Sequence, residues 1–127
     1  MSAPVGSDAL DVADALSVAV ATRNIEAVAR IYHPDLIVWH SYDNAEQTRD
    51  ENLVSLGAFL RDAVEVRYDD IRRQRTDSGF VQQHTLVAVL SGGQTLEPRP
   101  VCLVAEVRDG RILRLDEYIP ARRVSAS

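Results

Sequence analysis

Two ionisable side chains in this sequence fall on strand faces that are otherwise apolar. His40 closes the run Leu36-Ile37-Val38-Trp39-His40, and Glu117 lies within Leu113-Arg114-Leu115-Asp116-Glu117-Tyr118-Ile119. Alternate residues of a strand share a face. Leu36, Val38 and His40 therefore point one way, and Leu113, Leu115, Glu117 and Ile119 share a second face. A carboxylate among apolar neighbours is either paired or shifted in pKa, and both conditions are common at catalytic sites. A histidine titrates near neutrality, which suits proton transfer. His40 is thus the candidate proton acceptor, with Glu117 the partner acid or orienting group. The plain alternatives are a histidine bonded to backbone at a strand end and a rim glutamate held by water or an arginine. Tyr32, Trp39 and Tyr42 bracket His40. By alternation Trp39 points away from it. Tyr42, in the expected loop Ser41–Gln47, is placed to touch a ligand. Tyr68 joins the same pocket if Val64, Val66 and Tyr68 face inward.

The elements that must position these groups follow from pattern and caps. Asp8 is an N-cap candidate before Leu10, Ala13, Leu16 and Val20, which recur at helical spacing. Asn24 opens a short helix that Pro34 must end. Leu36–His40 is a strand. Thr48-Arg49-Asp50-Glu51 matches a capping box, with Leu53, Leu56, Phe59 and Leu60 behind it. Ser78-Gly79, Gly92-Gly93 and Asp109-Gly110 then punctuate strands expected near 80–90, 99–107 and 111–119. Helices first and an antiparallel sheet second make an α+β domain. Its expected extent is 8–120, after a disordered lead over 1–7 and before a polar tail over 121–127.

Composition narrows the function classes. The chain has 127 residues, 46% hydrophobic and 26% charged, with a net charge of −5. That is ordinary globular composition for one domain. The acid excess argues against a nucleic-acid surface. No apolar run approaches the ~18 residues of a membrane span, and no signal peptide is evident in the opening residues. Cys102 is the one cysteine, so no internal disulfide forms and a cytoplasmic location is expected. Cys102 itself reads as a small buried residue.

Arg23-Asn24-Ile25-Glu26-Ala27-Val28, leading through Ile31-Tyr32 and Asp35 to Val38-Trp39-His40, resembles the NTF2-like superfamily. The ending Asp109-Gly110-Arg111-Ile112…Asp116-Glu117-Tyr118 is similar to its SnoaL-like branch. The resemblance implies three helices on a strongly bent antiparallel sheet with a mixed edge, curled around an apolar pocket. It also implies a homodimer through the convex sheet face. His40 matches the general base of ketosteroid isomerases. Leu16 and Leu103 match that family's oxyanion donors, and neither donates a hydrogen bond. Losing one such donor costs about 10²–10³ in rate elsewhere, which argues against that steroid chemistry. In limonene epoxide hydrolase-like members the matching set is Asp–Arg–Asp, of which only Glu117 survives beside Thr85 and Val87.

Carrying over the family's strand phase puts Gln83 and Thr85 inside the pocket, where with Tyr42 they would place substrate oxygens. His84 then falls on the convex face, as a reserve candidate only. Tyr32, Val38, Phe59 and Tyr68 are the further expected substrate contacts, together with Leu16, Leu103, Leu115 and Ile119. No zinc, phosphate-loop, nucleophile-elbow or dinucleotide motif is present, and a His40–His84–Glu117 metal site fails if the two histidines face opposite ways. No cofactor and no metal are expected. The run Arg72-Arg73-Gln74-Arg75 reads as a solvated or interface face. The function expected is acid–base catalysis on a hydrophobic, oxygenated small molecule such as a polyketide, terpenoid or steroid-like compound. The alternative is a non-catalytic binder or dimerisation module on the same fold.

Overall fold

The computed structural model describes residues 8–124. The lead over 1–7 and the last three residues of the tail lie outside the described residues. The chain runs α1 (Ala9–Ala21), α2 (Ile25–Ile31), β1 (Tyr32–His40), β2 (Ala45–Thr48), α3 (Arg49–Asp62), β3 (Ala63–Arg75), β4 (Gly79–Leu90), β5 (Arg99–Arg108) and β6 (Arg111–Tyr118).

Each helix begins where a side chain satisfies an orphan backbone donor. Asp8 accepts from the Leu10 N–H, Asn24 from Ala27, and Thr48 from Glu51. The Glu51 carboxylate returns a bond from the Thr48 N–H at 2.9 Å, which completes the capping box. Thr48→Ala should therefore cost about 1 kcal/mol, read as a lower urea midpoint at unchanged m. α2 ends at Ile31, three residues before Pro34, because Tyr32 already has extended backbone.

The six strands form one sheet in the order β2-β1-β6-β5-β4-β3. β1 and β6 are parallel, and the other neighbours are antiparallel. Two expectations about β1 and its surroundings change. The strand starts at Tyr32, not Leu36, and carries Pro34 at a register shift between Tyr32 and Ile37. Such a bulge tolerates a residue without an N–H. The expected loop 41–47 contains most of β2, whose Thr48 lies opposite Ile37. The chain between β1 and β2 is too polar and short to show a strand period.

One face of the sheet holds the core. Val12, Ala13, Leu16, Ala19 and Val20 of α1 are buried against it, with Phe80 fully enclosed. Gly79 is required by close approach: a Cβ there would collide with the Ala105 carbonyl. The β5–β6 hairpin turns on Asp109 (φ 55°) and Gly110 (φ 73°), the left-handed pair that the expected Asp-Gly turn needs.

The phase of β4 is the main correction. Gln82 lies opposite Leu103, and Gln83 opposite Cys102. Directly opposite residues share a face, so Phe80, Gln82, His84, Leu86 and Ala88 point inward. Gln83 and Thr85 are therefore on the convex side, not in the pocket, and His84 is inside, not outside. Valines and leucines alternate on both faces of this strand, so its own pattern could not fix the phase. Smaller corrections share this origin in bulges. Val64 is exposed while Ala63 and Val66 are buried, across a register shift between Ala63 and Glu65. Ile112 takes the core place expected of Leu113, beside a shift between Glu106 and Val107. Cys102 is half-buried on the convex side.

The arginine run is not a uniform solvated face. Arg73 turns back to donate to Gln82 Oε1 at 2.7 Å and Ser17 Oγ at 3.1 Å, and it pairs with Asp14. Arg75 pairs with Asp8. Arg75 thus ties β3 to the start of α1, and Arg73 ties it to the middle of that helix. The first part of the expected polar tail is also docked: Val124 bridges Leu96, and Glu97 N–H donates to the Arg123 carbonyl at 2.8 Å.

Candidate active site

The bent sheet and α3 enclose a cavity of about 520 Å³, within the range of small-molecule sites. Its deep end is apolar. Leu16 comes from α1, Phe59 from α3, Leu103 from β5, and Leu115 and Ile119 from the β6 side. Val38 and Tyr32 of β1 and Tyr68 of β3 also line it. All the expected contacts except Gln83 and Thr85 are thus in its wall.

His40 and Glu117 meet in this cavity. They are Cα partners in the parallel β1–β6 ladder, so adjacent strands deliver them side by side. His40 Nε2 stands 3.2 Å from Glu117 Oε1, with 12% and 22% of the two side chains exposed. The glutamate raises the His40 pKa above 6.5 by accepting its hydrogen bond, while burial pulls the other way. With Nε2–H donated to the carboxylate, Nδ1 carries the free lone pair. That arrangement fixes a tautomer and strengthens the ring as a base. Tyr42 packs beside the imidazole, ring centroids 5.3 Å apart. Burial raises its phenol pKa, and the neighbouring Asp43 and Glu117 add to this. Trp39 points away and meets Tyr118 edge-on at 5.1 Å, as alternation requires.

A second polar station lies across the cavity. Tyr32 OH donates to Asn52 Oδ1 at 2.8 Å, Asn52 Nδ2 to Gln47 Oε1 at 2.9 Å, and Gln47 Nε2 to Ser55 Oγ at 3.0 Å. Burial holds the Tyr32 and Tyr68 phenols well above the ordinary tyrosine pKa, so both stay protonated donors. Tyr32→Phe leaves the Asn52 oxygen unpaired in a buried place. A loss of about 1–3 kcal/mol is expected in denaturant unfolding.

Sequence reasoning missed Gln47, Asn52, Arg99 and Arg122 in this wall. A helical signal existed for one of them: Asn52, Leu56 and Phe59 recur at i, i+4 and i+7, so Asn52 shares the inward stripe of α3. Arg99 precedes a proline, and Arg122 follows the last strand. Neither position has a readable period.

His84 also lies close by. It stacks on Tyr68, centroids 3.7 Å apart and planes 15° from parallel, and its Nδ1 is 2.9 Å from Gln82 Nε2. Burial and the Arg73 charge push its pKa down to about 4, so the ring is neutral at pH 7. Although both histidines face inward, no group of three His, Cys, Asp or Glu among the described residues could hold a metal.

The same architecture recurs in solved structures of low sequence identity. A Catenulispora acidiphila protein with a ketosteroid isomerase-like fold, in complex with trimethylamine, superposes with a TM-score of 0.74. It is 14% identical, over 86% of this chain and 85% of that one. An epoxide hydrolase of M. tuberculosis, similar to limonene epoxide hydrolase, matches with a TM-score of 0.71 at 18% identity, over 87% and 81% of the two chains. The chain has the NTF2-like fold. A candidate polyketide cyclase from Pseudomonas putida shares it, with a TM-score of 0.75 at 17% identity over 87% and 90% of the two chains. No family model matches the sequence, and no curated protein does. The NTF2-like cone accounts for the three helices on one face of the mixed sheet. Its neighbours carry isomerase, cyclase and hydrolase descriptions, so the fold alone names no reaction. The positions matching the isomerase oxyanion donors, Leu16 and Leu103, both face the cavity without a polar atom. From β4, Leu86 is the described residue that lines the cavity, so no second carboxylate joins Glu117 from that strand.

Proposed function

We propose that this protein is an acid–base enzyme acting on a hydrophobic, oxygenated small molecule, of the isomerase, cyclase, dehydratase or hydrolase type. The single observation that carries this reading is the His40–Glu117 contact inside a cavity whose wall also carries Leu16, Val38, Phe59, Leu103 and Leu115. The imidazole accepts a proton from substrate, and the carboxylate orients it and stabilises the imidazolium. Tyr42, at the rim, offers a hydroxyl to a substrate oxygen. Low dielectric in the pocket strengthens each of these interactions.

The test requires no knowledge of the natural substrate. A panel of apolar ketones and hydroxy-ketones is incubated with the protein in D2O, and exchange at carbon is followed by NMR. Exchange that needs wild-type His40 supports the reading. Binding without exchange for every ligand favours the second reading, a non-catalytic binder, which the apolar side chains of Leu16 and Leu103 support.

The reading includes a homodimer through the convex sheet face. Val104 and Tyr118 are exposed there beside half-buried Cys102. Sedimentation of wild type against Tyr118→Arg tests it: a dimer that dissociates in the variant is expected, and a monomeric wild type would sink it.

A further inference from the structure

Glu117 is the one carboxylate in the cavity wall among the described residues, and it is engaged by His40. Two guanidinium groups stand in the same wall, Arg99 at the start of β5 and Arg122 after β6. Neither forms an ion pair with a described residue. Arg49, Arg67, Arg73, Arg75, Arg108 and Arg114 have carboxylate partners, and of the described arginines without one, Arg99 and Arg122 are the two that line the cavity. Arg99 is the more telling of the two. It is half-buried, and among the described residues its Nη1 donates only to the Pro120 carbonyl at 3.3 Å while its enclosed Nε has no partner. Enclosing a guanidinium N–H without a hydrogen-bond partner is costly, and the charge of Glu117 reaches Arg99 without forming an ion pair. Arg99 donates to the Pro120 carbonyl two residues before Arg122, which sets the two arginines at one end of the cavity, in the wall that Tyr42 also lines. That end is the mouth, since Tyr42 and Arg122 are exposed.

We infer that the ligand is an apolar compound bearing a carboxylate, with the carboxylate held at the mouth by Arg99 and Arg122 and the apolar body reaching past the His40–Glu117 pair toward Leu16 and Leu103. The inference rests on the pocket reading above and specifies its substrate class. A guanidinium offers parallel N–H donors that match a carboxylate in two-point fashion. The mouth carries two fixed positive charges against Glu117, with Asp43 near His40 and Tyr42. These charges balance in number, so the attraction is local: an anion that reaches Arg99 supplies the partner its guanidinium lacks, while Glu117 stays engaged by His40. The apolar floor selects against small acids such as acetate, which would bury nothing.

Two matched probes test this by calorimetry on the full chain: 2-naphthylacetate and its uncharged amide. Wild type should bind the acid at least about tenfold more tightly at low salt. Arg99→Gln should cut that preference below about threefold by weakening the acid much more than the amide, and Arg122→Gln should have a smaller effect in the same direction. A second measurement avoids any variant. Raising NaCl from about 0.05 to 0.5 M should weaken the acid and not the amide, because screening acts on the charge alone. Equal affinity for acid and amide in wild type overturns the inference and leaves the acid–base reading standing. So does a preference that survives in the Arg99→Gln, Arg122→Gln double variant. If neither probe binds, the inference and the pocket reading fail together.

Discussion

His40→Ala should lower kcat/KM for carbon–hydrogen exchange by about 10²–10⁴-fold, the usual worth of a positioned general base. The loss should lie in kcat, because the imidazole contributes little to holding the apolar body of a ligand. The pH profile carries more information than the loss itself. The neutral ring is the base, so the rate should rise with pH through the His40 pKa, which Glu117 holds above 6.5. In Glu117→Gln the hydrogen-bonded anion is gone and burial remains, and burial favours the neutral ring. The midpoint should therefore move down. At low pH the variant then keeps more of its own limiting rate than wild type does, although that limiting rate is lower. NMR titration of the ring gives the same midpoint without substrate. A His40 midpoint unaffected by Glu117→Gln would show that the pair is not coupled, and the non-catalytic binder would become the better reading.

Acidification should destabilise the protein through a different histidine. His84 is 5% exposed, stacked on Tyr68, and has a pKa pushed down to about 4 by burial and by Arg73. In the unfolded chain the same ring titrates near 6.5. Between these values the unfolded state binds the proton and the folded state does not. Stability is thus intact above about 6.5 and falls as pH drops toward 4, by about 3 kcal/mol in all. His40 acts in the opposite sense. Its folded pKa is raised, so its contribution is present below about 6.5 and fades as pH rises through the folded value. Urea midpoints measured from pH 7 to 4 in wild type and in His84→Leu separate the two. Leucine fills much of the space and cannot titrate, so the acid limb should flatten in the variant. An equally steep limb in His84→Leu would assign the acid sensitivity elsewhere.

The legible parts of the fold are the ones with local causes. The caps Asp8, Asn24 and Thr48 mark their helices because each bond spans two or three residues. The Asp109-Gly110 turn was legible because its backbone conformation restricts residue type. The inward face of β6 around Leu115, Glu117 and Ile119 was legible because its apolar alternation is clean. β4 was not, since Val81, Val87 and Val89 on one face compete with Phe80, Leu86 and Ala88 on the other. Gln83 and Thr85 were misplaced for that reason, and His84 with them.

By itself, the sequence determined the order of elements apart from β2, the helix starts, and the presence of one histidine and one carboxylate on apolar strand faces. Those are properties of short segments, where period and capping act within a few residues. Only the tertiary structure decided that His40 and Glu117 touch. Their contact depends on β1 and β6 pairing in parallel across 76 residues of intervening chain, in a register that sets the two side by side. It also decided that Arg99 and Arg122 share the cavity, because one lies at a strand start and the other in a docked tail segment. Such meetings are fixed by sheet register and by the packing of helices over the sheet, and no local periodicity records them.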